Sequence, residues 1–156
     1  MSRLKGPMLL LLAFVVQLSL SAAWPAWVVF FDLPLLVVIY YAMHRGPAVG
    51  LALGGAVGLL QDGLTGSLLG VGALSRSVVG YLTGTAVMRF VLSGPLARLL
   101  VVGSATLATR LFEIFTLAVM GRTPSALPAS ELLAGVAGNA LLGTILFSML
   151  QRERAV

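Results

Sequence analysis

The sequence predicts an all-α integral membrane protein, a bundle of six transmembrane helices. Three observations carry this. The 156 residues are 59% hydrophobic and only 10% charged, with a mean hydropathy of +1.05, which is too little polar side chain to cover a water-soluble surface. The apolar runs approach the roughly 20 residues a helix needs to cross a bilayer, without the ten-residue alternation of barrel strands. Proline and aspartate mark where several of the runs begin. In lipid every backbone polar group must be satisfied internally, and helices do this within one segment.

The predicted spans, taken in order, are 7–24, 33–43, 47–60, 68–92, 96–120 and 131–150, together one transmembrane domain. The first follows Arg3 and Lys5 and ends near Trp24 and Trp27, a basic flank and an aromatic belt. It also has the outline of a secretory signal ending in Ser21, Ala22 and Ala23. The second opens on Asp32, Leu33 and Pro34, an N-terminal cap with a first-turn proline, and Pro47 opens the third. Both are short, covering roughly 17 to 21 Å of an approximately 30 Å core, so each must borrow flanking residues or pack inside the bundle. A five-span reading stays open. Pro95 precedes the fifth span, while Pro128 and Ser130 introduce the sixth after the link GRTPSALPASE.

Charge orients the six-span chain. Arg3, Lys5, Arg45, Arg89, Arg98, Arg152 and Arg154 fall on one side and Arg122 on the other, which makes the first side, with both termini, cytoplasmic. The net charge of +5 comes from basic residues scattered singly, not from the clustered face that nucleic acid requires. The absence of cysteine removes disulfides, thiolate catalysis and cysteine metal sites. Five acidic residues and one histidine, with neither HExxH nor GxSxG, predict no catalytic, metal or cofactor site. His44, beside Arg45, reads as interfacial.

Three groups of residues stand out as candidates. Gly46, Gly50, Gly54 and Gly58 recur every fourth residue and Gly80 and Gly84 repeat the spacing, giving flat helix faces for close packing within the bundle or for a partner's helix. Asp62 ends the third span, where the helix dipole disfavours a carboxylate, so a contact with Arg76 is expected to tie the external loop to the bundle. Arg110 and Glu113 share a helix face in mid-membrane and, with Asn139, form a polar cluster that must pair within the interior or line a site.

The run GGAVGLLQDGLTGSLLGVGALSRSVVGYLTG, preceded by FFDLPLLVVIYYAMHRGP, resembles the rod shape-determining protein MreD family. The matching positions are Gly58, Asp62, Gly66, Leu69, Gly70, Leu74 and Tyr81. The resemblance implies a multi-pass protein of the bacterial cytoplasmic membrane and of the cell-elongation machinery. Its implied partners are MreC, a periplasmic protein with one membrane span, and the peptidoglycan polymerase and transpeptidase, with the actin-like MreB nearby. It also implies a bundle similar to the substrate-binding subunits of energy-coupling-factor vitamin transporters. Arg76, Arg110 and Glu113 lie outside the family pattern. The expected function is a non-catalytic scaffold working through helix contacts. A solute-binding transporter subunit is the alternative, with Arg110, Glu113 and Asn139 lining its pocket.

Overall fold

The computed structural model describes residues 12, 15–17, 19, 31–90, 94–122 and 128–152, and every regular element among them is helical. Five helices have defined bounds: α1 (Leu33–Arg45), α2 (Pro47–Thr65), α3 (Val71–Arg89), α4 (Pro95–Val119) and α5 (Ala129–Arg152). Residues 12, 15–17 and 19, inside the predicted first span, are also helical. The rest of that span, Trp24, Trp27 and most of the link before α5 lie outside the described residues.

The 13-residue α1 starts on Asp32, whose carboxylate accepts the Leu35 backbone N–H at 3.0 Å, with Pro34 in the first turn. It ends on the basic residues His44 and Arg45, of which the Arg45 cation suits the negative end of a helix dipole. Leu35, Leu36, Val38, Ile39, Tyr40 and Ala42 are all buried, because the short helix runs up the middle of the bundle against each of the other four. Its first backbone groups are satisfied by other chain segments. Asn139, near the middle of α5, accepts the Asp32 backbone N–H at 2.9 Å, and Gln17 accepts that of Leu33 while donating to the Phe31 carbonyl. An apolar helix of about 20 Å is tolerated here because α1 begins inside the protein rather than at the membrane surface.

Gly46, at φ 90°, turns the chain directly from α1 into α2. α2 then continues through Gln61 and Asp62 to Thr65, past the Leu60 end expected from the loss of hydrophobicity, and stops at Gly66 in the left-handed conformation. The polar residues Gln61 and Asp62 are thus helical.

α2 and α3 form the most extensive helix pair, and the glycines explain why. A Cβ at Gly50 would overlap the Gly80 carbonyl and one at Gly80 the Gly50 carbonyl, while Gly54 lies on the Arg76 carbonyl, Gly58 on Gly72 and Ala73, and Gly84 on Pro47. Gly46 meets the tip of Met88. The small-residue stripe therefore faces this chain's own helix. Of the two readings of these positions, the contact supports packing within the bundle. Between apolar helices in lipid, such backbone approach supplies the van der Waals contact that hydrophobic burial supplies in water.

α4 and α5 form the second hairpin, with Gly103 against Ala140 and Gly143 against Leu36 and Val102. The distribution of polarity is inverted relative to a soluble domain. Leu59, Leu82, Leu100, Leu111, Phe115 and Leu141 are exposed, whereas Asp32, Arg76, Thr106, Thr109 and Asn139 are buried. Among the described residues three helices, α2, α4 and α5, are long and apolar enough to cross a membrane. α3 has the length, but Ser75, Arg76, Ser77, Thr83 and Thr85 lower its hydropathy, and its polar residues Ser75, Arg76 and Thr83 are turned inward.

Candidate functional site

The polar residues of four helices meet in one network. Arg76 projects from α3 and is 2% exposed. Its Nη2 donates to Asp32 Oδ2 at 2.8 Å and its Nη1 to Glu113 Oε1 at 3.1 Å, so a single guanidinium joins the start of α1 to α4. Arg110 Nη1 donates to the other Glu113 oxygen at 3.3 Å. Asn139 enters from α5, accepting from the Asp32 backbone and donating to Thr106 Oγ1 at 3.3 Å. Arg110, Glu113 and Asn139 therefore belong to one connected network. Its centre is the Asp32–Arg76 pair.

Asp62 has a different role from the one its position in α2 suggests. Its Oδ2 accepts the backbone N–H groups of Gly70 at 2.8 Å and Gly72 at 3.0 Å, and its Oδ1 accepts from Ser67 Oγ at 3.3 Å. The N-cap position of α3 is Gly70, which has no side chain to cap with. Asp62 supplies the missing acceptor from the neighbouring helix. The carboxylate that would be unwelcome at the end of α2 sits at the positive end of α3.

Between Asp62 and Arg76, the pair expected to anchor the loop, there is no direct hydrogen bond or ion pair. The two side chains both lie against Gly72, but the ion pairs of Arg76 among the described residues go to Asp32 and Glu113. Asp62 already accepts hydrogen bonds from backbone donors, whereas without the guanidinium Asp32 would lose its ion pair and Glu113 would keep only the partly exposed Arg110. Asp62→Ala is expected to lower stability by about 2 kcal/mol through the orphaned N–H groups of Gly70 and Gly72, and Asp62→Asn by less, since it keeps an acceptor. Exchanging Asp62 and Arg76 should give no recovery over the single changes. Unfolding midpoints of the purified variants in detergent measure both.

Beside this network is a cavity of about 210 Å³, lined by Gln61, Asp62 and Thr65 of α2, Arg76 of α3 and Arg110 and Glu113 of α4, among others. It adjoins the ends of α2 and α4 and the start of α3. No group of three or more metal-ligating side chains occurs among the described residues.

The model of the rod shape-determining protein MreD family matches residues 2–150. The chain belongs to the MreD family. It is accordingly a rod shape-determining protein, and with three long apolar helices a multi-pass protein of the inner membrane. MreD is a shape-determining, structural family. No curated protein and no solved structure matches the chain.

Two members of the site escape a reading of the sequence. Asp32 looks complete as a helix cap, so its second oxygen is not sought as the partner of Arg76. Gln61 looks like the start of a loop. The available signal was the charge count: a membrane arginine at 76 demands a carboxylate, and only five acidic residues exist to supply one.

Proposed function

We propose that this chain is a non-catalytic scaffold of the bacterial cell-elongation machinery, crossing the membrane six times with both termini in the cytoplasm. Its partners are an MreC-like single-span protein and the peptidoglycan polymerase and transpeptidase, with MreB in the same assembly. The bundle is of the kind found in substrate-binding subunits of energy-coupling-factor transporters. The observation that carries the reading is the family match over residues 2–150. The packing supports it. The glycine faces of α2 and α3 and the charged residues at the network's centre are engaged within the chain, which favours docking through outward leucine and phenylalanine faces such as Leu82, Leu111, Phe115 and Leu141.

Photocrosslinking from those four positions in native membranes tests the proposal. The expected products are a single-span periplasmic protein and cell-wall synthases. Capture of an energising ATPase module instead would reassign the chain to solute uptake, and labelling that places the termini on opposite sides would overturn the topology.

A further inference from the structure

Most polar groups in the interior are closed by their neighbours, and the exceptions meet at one place. Among the described residues, two buried side-chain atoms have no hydrogen-bond partner: Gln61 Oε1 and Arg76 Nε. Both side chains line the cavity of about 210 Å³ beside Arg110. Orphaned buried groups are rare in native proteins and are ordinarily met by water or a ligand. This space is several times the roughly 30 Å³ share of one water.

The charge and hydrogen-bond inventory defines what fits. The carboxylates of Asp32, Asp62 and Glu113 each accept from donors of the chain itself. Arg110 is different. Its side chain is 30% exposed and it makes one side-chain hydrogen bond, to Glu113, out of the five N–H donors of a guanidinium. The unused donors are thus on the α4 and α3 walls and the unused acceptor, Gln61 Oε1, is on the α2 wall. Gln61 also stands in the last turns of α2, where the helix dipole favours a cation. The charged side chains that line the space, Asp62 and Glu113 against Arg76 and Arg110, sum to zero. A simple anion or a simple cation would upset that balance, and a cation would also leave Arg110 unmet.

We propose that this cavity binds a small zwitterion, with a carboxylate or phosphate facing Arg110 and a primary ammonium facing Gln61. The group can arrive as a free molecule, such as an amino acid or phosphoethanolamine, or as the headgroup of phosphatidylethanolamine. The site lies wholly within this chain and does not rest on the scaffold reading.

Calorimetric titration and thermal unfolding of the full chain test it. In maltoside, glycine and phosphoethanolamine are compared with ethanolamine and inorganic phosphate. In nanodiscs, phosphatidylethanolamine is compared with phosphatidylglycerol and with phosphatidylcholine, whose quaternary ammonium has no N–H. A raised midpoint with the free zwitterions identifies a soluble ligand, and one confined to phosphatidylethanolamine identifies the headgroup. Either supports the site, provided Arg110→Gln and Gln61→Leu each weaken binding at least about tenfold. Gln61→Leu removes an acceptor that has no partner, so it is expected to fold even if Arg110→Gln does not. The proposal is overturned if no zwitterion shifts the midpoint, if inorganic phosphate or ethanolamine does so equally, or if the Gln61 variant responds as the parent does.

Discussion

Arg76→Leu is expected to destabilise the folded chain by about 3 to 5 kcal/mol, enough to deplete it from the membrane. The side chain is 2% exposed and bonds two carboxylates, Asp32 and Glu113, from two other helices. Removing it leaves Asp32 buried without a cation and the partly buried Glu113 with Arg110 alone, and the penalty is the desolvation of those charges rather than the loss of two hydrogen bonds. Arg76→Lys keeps the charge but has no planar fork to hold both acids at once, so an intermediate loss is expected. The combined variant Asp32→Asn, Arg76→Met, Glu113→Gln removes Arg76 and its two acids together and leaves the partly exposed Arg110 an amide oxygen at position 113, so it should recover part of the stability, helped by the side-chain amide introduced at position 32, which would keep an oxygen for the Leu35 N–H. Unfolding midpoints and membrane levels of the three variants provide the measurement. A triple variant no better than Arg76→Leu would mean that the network contributes shape alone.

Gly54→Ala is expected to cost about 3 kcal/mol and Gly54→Leu to prevent the α2–α3 hairpin from closing. The new Cβ would overlap the Arg76 carbonyl and crowd the Ser77 N–H. These are backbone atoms, and they cannot rotate away as a side-chain tip would. The two helices must separate along their length, which also loosens Gly50 against Gly80 and Gly58 against Ala73. Gly63→Ala is the matched control, since nothing lies within 4 Å of a Cβ there. It should be neutral or stabilise by up to about 1 kcal/mol through helix propensity. Equal effects at positions 54 and 63 would show that the close approach is not where the stability resides.

The sequence and the structure part company at particular residues. The start of α1 was legible because capping is local: Asp32, Leu33 and Pro34 carry it within three positions. The end of α2 was less so, because hydrophobicity stops at Leu60 while the helix runs on to Thr65, where Asp62 bonds across the turn to Gly70 and Gly72. The glycine spacing announced a packing face, and its neighbour remained open until α3 was seen against it. Arg110 and Glu113 are three residues apart on one helix and could be paired from spacing alone. The partners of Arg76 stand 44 and 37 residues away, and no local rule reaches that far.

What the amino-acid order determined by itself is the solvent and the element type. Hydropathy and the scarcity of charge place the chain in lipid, and lipid permits helices because their backbone bonds close locally. The tertiary structure alone decided which two of three carboxylates pair with Arg76, that Asp62 caps a helix other than its own, and that the glycine faces meet each other. Local hydrogen bonding is set by neighbours in the chain. The pairing of buried charges is set by which donors the packing leaves unfilled, and that is known only once the helices stand side by side.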